Sequence, residues 1–260
     1  MLKITTMTIG LIACAQAGAF EYLDTERKGS NQFFAGASHD VTDIDFTLDY
    51  QGNKTKSENT LTSDKIGVFY RPSEFQFSAV FDKSSWSKGG IEADKSVTLG
   101  AEYMLNRDST KPIVMSIDHE TYIDGDGADE TGLSVAVGTG SGASSSEYGF
   151  VVSRDEDSDI SYGAFTSSRF GLTNELHIIT SAGLSVINSQ PFDDFKEGTL
   201  VGFIGKVGLG IDIIENLQVS TALDVVRSVG LYDRDSTSSN AELSYKTSAI
   251  GFNLSLIGKF

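Results

Sequence analysis

The chain has 260 residues, 27 of them glycine and only 3 proline, with aromatic residues at 10%. That length and mix suit one sizeable all-β domain of many strands joined by flexible turns. A net charge of −16, with no basic stripe anywhere along the sequence, excludes nucleic acid as a partner.

The first residues read as an export signal. Lys3 supplies a positive start, the stretch 4–13 is short and mostly apolar, and Ala15-Gln16-Ala17 and Ala17-Gly18-Ala19 are both small-x-small cleavage sites. The expected division is a signal peptide over 1–19 and one β domain over 20–260. The stretch is too short to cross a bilayer as a helix. The single cysteine, Cys14, lies inside this signal. Leu11-Ile12-Ala13-Cys14 resembles a lipobox, which would make Cys14 a lipidated first residue. The reading preferred here treats Cys14 as a small apolar residue of the signal, which leaves the exported domain without disulfides.

Beyond residue 20 no run of eighteen consecutive apolar residues occurs, so no membrane helix is expected. Period-two alternation recurs instead, the mark of strands with one greasy and one polar face. Ile44, Phe46, Leu48 and Tyr50 alternate with Asp43, Asp45, Thr47 and Asp49. Then come Ile66, Val68 and Tyr70, followed by Phe75, Phe77, Ala79 and Phe81. Val97, Leu99, Ala101, Tyr103 and Leu105 alternate with Thr98, Gly100, Glu102 and Asn106. Ile113, Met115 and Ile117 follow, then Leu133, Val135 and Val137, then Tyr148, Phe150 and Val152, then Ile160, Tyr162 and Ala164. Leu176, Ile178, Ala182, Leu184 and Val186 form the next row. Val201, Phe203, Val207, Leu209, Ile211 and Ile213 oppose Gly202, Lys206, Gly208, Gly210 and Asp212, and Leu217, Val219, Leu223 and Val225 oppose Gln218, Ser220 and Asp224.

The connections are expected to alternate. Long polar stretches at 50–65, 82–95, 120–131, 189–198 and 230–240 are interleaved with short ones at 71–74, 106–111, 140–146, 170–174 and 215–216; the acidic stretch 154–159 fits the series least well. With an even strand count both termini share the side of the short turns. Aromatics near strand ends, namely Tyr50, Tyr70, Phe75, Tyr103, Tyr148 and Phe260, are expected in girdles at the membrane interfaces.

The C-terminal segment carries the most specific signal. Ile250, Phe252, Leu254 and Leu256 alternate with Gly251, Asn253 and Ser255, and Lys259 precedes a terminal Phe260. Together with the export signal, this ending resembles that of Gram-negative outer-membrane β-barrel proteins, the porin-like group in its broad sense. The resemblance implies an all-β, transmembrane, antiparallel up-and-down β-barrel of about twelve strands, located in the outer membrane. Outer-membrane lipid and lipopolysaccharide would surround it.

Parity along the strands then nominates an interior lining of Asp43, Asp45, Glu102, Asp118, Glu120, Glu175, Lys206, Asp212 and Asp224, with Lys259 as a second inward cation. Such an acidic lumen favours cations. Since about eight strands leave a filled interior and about sixteen an open channel, a narrow pore is expected. Asp124, Asp126, Asp129 and Glu130 resemble a calcium-binding loop but depart from the EF-hand spacing. Asp155-Glu156-Asp157-Ser158-Asp159 is a second acidic run. Three histidines, His39, His119 and His177, stand apart from any nucleophile at triad spacing, and no cofactor motif occurs. The function expected is a narrow passive channel for small hydrophilic solutes with a preference for cations, not an enzyme. The alternatives are a non-conducting structural or adhesive barrel whose acidic loops bind divalent cations or lipopolysaccharide, and a lipid-modifying enzyme working at the rim.

Overall fold

A computed structural model describes residues 32–87, 94–106, 109, 111–124, 128–141, 144–156, 159–189, 198–214, 216–233 and 242–260. The expected export signal lies outside these residues. The chain forms twelve strands: β1 (Gln32–Tyr50), β2 (Asn53–Arg71), β3 (Phe75–Trp86), β4 (Asp94–Leu105), β5 (Ile113–Asp124), β6 (Glu130–Ser141), β7 (Ser144–Asp155), β8 (Ile160–Gly171), β9 (Leu176–Ser189), β10 (Gly198–Ile214), β11 (Leu217–Asp233) and β12 (Glu242–Lys259). Each pairs antiparallel with its sequence neighbours, and β1 pairs with β12 to close the barrel. Closure satisfies every strand edge without water, which lipid requires. The expected all-β up-and-down barrel and its twelve strands are therefore observed.

The wall is uneven. Strands β3 to β8 have 12 residues each, whereas β10, β11, β12, β1 and β2 have 17, 17, 18, 19 and 19. At about 3.3 Å per residue the tall side rises some 20 Å further along the strands. The extra height lies at the end opposite the C-terminus, and β1 and β2 meet there in a tight hairpin. Gln51 (φ 52°) and Gly52 (φ 82°) make its two-residue turn, and Asp49 Oδ1 accepts the Gly52 amide at 3.0 Å. Two consecutive positive φ values match the twist of the flanking strands. This corrects the expected long loop over 50–65: its residues are polar, yet they are strand.

The outside of the barrel carries an apolar belt. Phe77, Leu99, Ile117, Leu133, Phe150, Leu184, Val207, Leu223 and Leu254 all project outward and exposed. A belt of this kind around a closed barrel is the surface that hydrocarbon solvates. At its lower rim Phe75 packs on Tyr103 at 4.9 Å and Phe33 on Phe260 at 6.3 Å. With Tyr70 and Tyr148 these rings form the girdle on the side of the termini.

On the tall side the two faces exchange character partway up. Along β12, Leu256, Leu254, Phe252 and Ile250 face outward over inward Ser255, Asn253 and Gly251; above them Ser248, Lys246 and Ser244 face outward and Ala249, Tyr245 and Leu243 inward. Strand β1 does the same. Asp43 and Asp45 are exposed on the outer face, while Ile44 between them is 1% exposed inside. Asp43 sits opposite Ile250 and Asp45 opposite Ser248, and exposed His39 further down β1 sits opposite Leu254, so the outer face turns polar lower on β1 than on β12. Along β12 the outside meets hydrocarbon up to Ile250; above it the outside meets water and the greasy face turns in.

This overturns one expectation. Ile44, Phe46, Leu48 and Tyr50 are not lipid-facing, and Asp43 and Asp45 do not line the interior. Alternation identifies two faces but not which faces out, and at this height the solvent outside is water. Tyr50 accordingly leaves the expected girdle.

The exchange predicts how charge is tolerated on one outer surface. Leu254→Arg, in the middle of the belt, is expected to lower the unfolding free energy in lipid vesicles by about 2–4 kcal/mol. Asp45→Arg, above it, is expected to change it by less than about 0.5 kcal/mol. Urea-unfolding midpoints of the two variants check this.

Candidate functional site

The interior is layered rather than uniformly polar. At the tall end, Ile44, Leu61, Trp86, Ile187, Leu200, Ile204, Val226, Leu243, Tyr245 and Ala249 form one buried apolar cluster, with Phe46, Leu48 and Tyr50 packed against it. The Phe46 ring lies 6.3 Å from both Trp86 and Tyr245, so aromatic side chains from β1, β3 and β12 share one space. A barrel wall that stands in water must bury its greasy face somewhere, and the only shelter is the inside.

Below this chamber lies a charged layer. Lys65 reaches Asp82 at 3.6 Å, and Ser63 donates to the same carboxylate at 2.6 Å. Lys206 reaches Asp224 at 3.6 Å, opposite it on the next strand. Asn253 donates to Asp40 at 2.5 Å, and Ser96 to Glu120 at 2.6 Å. Lys65 and Lys206 are almost fully buried, their side chains 9% and 2% exposed. Buried ammonium groups persist only when paired, and these two are paired.

A second apolar collar follows, in which Phe34, Phe69 and Ile257 from adjoining strands pack with Ile179 from β9 and with Val80. Nearest the termini sits a polar network. Arg169 donates to Asp212 at 3.3 Å and to His177 Nδ1 at 3.0 Å, and Gln218 donates to Asp212 at 2.6 Å. On the β2 side, Arg71 donates to Gln76 and stacks 5.6 Å from the centre of the Phe34 ring. The network needs the glycine at its back: a Cβ on Gly210 would lie 2.0 Å from His177 Nε2.

The nominated residues separate accordingly. Glu102, Asp118, Glu120, Lys206, Asp212 and Asp224 lie on the inward faces of their strands, as does Lys259. Asp43 and Asp45 lie outside, and Glu175 sits exposed in the turn between β8 and β9, where its carbonyl accepts the Asp212 amide at 2.8 Å. Of the acidic loop, Asp124 pairs with Lys95 at 2.8 Å, and Asp129 accepts the Tyr122 amide at 2.9 Å. Glu130 faces inward opposite Glu120, while Asp126 lies outside the described residues. Among the described residues no group of three or more histidine, cysteine or acidic side chains is placed to hold a metal ion. His119 lies outward between Thr131 and Thr121, at 2.9 and 3.0 Å, and His39 pairs with Asp64 at 2.6 Å on the outer wall. Reading the strands by parity missed the interior cations Lys65, Arg71 and Arg169. Lys65 ends a polar stretch that reads as loop, and Arg169 lies beyond Ala164, where the apolar alternation of its strand ends.

No family model matches the chain, and no curated protein matches it. Among solved structures it is similar to an outer-membrane channel from Pseudomonas putida F1, with a TM-score of 0.62 at 15% identity over 91% of this chain and 98% of that one. It is also similar to the translocator domain of the autotransporter NalP from Neisseria meningitidis, with a TM-score of 0.54 at 11% identity over 95% of this chain and 97% of that one. Identities this low establish fold. The fold is that of outer-membrane β-barrels, and the apolar belt is the surface such a barrel presents to lipid.

Gly210→Ala is expected to destabilise the barrel by about 1–3 kcal/mol by driving His177 out of its network. Gly183→Ala, whose added Cβ would come no closer than 3.5 Å to any atom, is the control and is expected to be nearly neutral. Denaturant midpoints in detergent compare the two.

Proposed function

We propose that the protein is a narrow passive channel for small solutes across the outer membrane, with a preference for cations. The charged layer supports this reading: inward carboxylates outnumber inward ammonium and guanidinium groups, and carboxylates project from the β1, β3, β4, β5 and β11 walls. A lumen of that sign attracts cations and repels anions. That a structurally similar barrel is an outer-membrane channel supports the passive-channel part of the reading. The two apolar collars narrow the path, so the solutes are small, and the purely hydrophilic lining expected from parity gives way to alternating greasy and charged layers.

One observation favours a second reading, a non-conducting structural barrel. Ile179 packs with Phe34, Phe69 and Ile257, so side chains of β9, β12, β1 and β2 join in one cluster inside the barrel.

Planar-bilayer recording distinguishes the two. The channel reading expects small single-channel steps in KCl and a reversal potential of cation-selective sign in a salt gradient. Combining Asp224→Asn with Glu120→Gln is expected to move that potential toward zero. The absence of any conductance from correctly folded protein contradicts the channel and favours the second reading.

A further inference from the structure

The apolar chamber at the tall end contains polar groups with no hydrogen-bond partner among the described residues. Trp86 is 8% exposed, and its indole Nε1, a donor only, has no hydrogen-bond partner among the described residues. Ser228 and Thr247 are 2% and 4% exposed and stand opposite one another on β11 and β12; neither hydroxyl has a partner among the described residues. Phe46 ties them together, since it is opposite Thr247 on β1 and its ring lies 6.3 Å from that of Trp86. Leaving a buried donor or acceptor unpaired is destabilising. Three such groups stand at one apolar cluster, and a ligand site combines mostly apolar walls with a few polar groups that fix orientation.

We infer that this chamber binds small, uncharged, amphipathic molecules, with an apolar body and a hydroxyl or carbonyl oxygen. The chemistry narrows the choice. The indole N–H requires an acceptor, which a pure hydrocarbon and an ammonium group both lack. A carboxylate could accept, but it would bring an unpaired charge into a chamber whose nearest cations, Lys65 and Lys206, already engage Asp82 and Asp224. An alcohol, phenol or ketone with a ring or short chain satisfies the indole and the hydroxyls and covers Phe46 and Tyr245 with its body. The inference deepens the channel reading and rests on it: the chamber is the first compartment such a solute meets on the tall side, and the charged layer below governs ions.

Trp86 is the only tryptophan, so its fluorescence reports on the chamber alone. The full-length protein in lipid nanodiscs is titrated with benzyl alcohol, with its isostere ethylbenzene, and with benzoate and benzylammonium; a Trp86→Phe sample is the blank for membrane partitioning. Benzyl alcohol is expected to give a saturable change with an apparent affinity at least about tenfold tighter than the other three. Thr247→Val combined with Ser228→Ala is expected to abolish the preference over ethylbenzene while raising the denaturation midpoint, because two unpaired hydroxyls leave the core. A merely structural pair of hydroxyls would not change ligand preference. Equal binding of benzyl alcohol and ethylbenzene, or no saturable signal, overturns the inference even if KCl conductance is present. Saturable binding selective for benzyl alcohol in a protein without conductance supports the site and instead removes the channel.

Discussion

A strand offers each residue one of two faces, and the solvent on each side decides which face must be greasy. In this barrel that constraint acts twice with opposite sign. Around the belt, hydrocarbon lies outside, so Leu254, Phe252 and Ile250 point out and Ser255, Asn253 and Gly251 point in. On the raised wall of β12, β1 and β2 water lies outside, so Ala249, Tyr245, Ile44 and Phe46 turn in. The backbone continues through the exchange with an unbroken register between β1 and β12, so no bulge is needed to reverse the faces. Only the side chains change.

Several features follow from this exchange. The apolar chamber exists because the raised wall must bury a greasy face and has only the interior to bury it in. The charged layer lies below the chamber, and its lysines are paired because they are buried, while the His39–Asp64 pair stands at the same height on the outer wall. The Gln51-Gly52 turn closes the tallest hairpin with two left-handed residues, and its strands are solvated along their outer faces by Asp45, Asp49, Lys54 and Glu58. Asp49 and Lys54 lie 3.7 Å apart there, an exposed pair of small energetic weight.

Much of the barrel was legible in the sequence. Twelve alternating segments, short turns on the side of the termini and the terminal Phe260 are local signals, and each rests on the fixed period of two. The faces of β10 and β11 could be read because large apolar residues alternate with glycine, serine and aspartate over most of the belt, with Gly205 and Thr221 on the outer face and Ile204 on the inner face as exceptions. What could not be read was sidedness where the surroundings change. Ile44 and Asp45 alternate as cleanly as Ile250 and Gly251, yet they point the opposite way with respect to the membrane. The stretch 53–60 has no apolar residue to announce a strand; its pairing with β1 is a property of the backbone ladder alone. The interior network of Arg169, His177, Asp212 and Gln218 draws on four strands, and no spacing within one strand reveals such a grouping.

The central claim is the level at which the faces exchange, and environment-sensitive labels measure it most directly. Cys14 is the only native thiol and lies in the expected signal, so single cysteines introduced at Asp45, Thr47, Phe252 and Leu254 can each carry a nitroxide in protein reconstituted into lipid vesicles. The account predicts that labels at 252 and 254 relax with dissolved oxygen and are shielded from a water-soluble nickel chelate, and that labels at 45 and 47 behave in the opposite way. Shielding of 45 and 47 from the chelate, with oxygen accessibility equal to that of 254, would contradict it and return Asp43 and Asp45 to the level of the hydrocarbon.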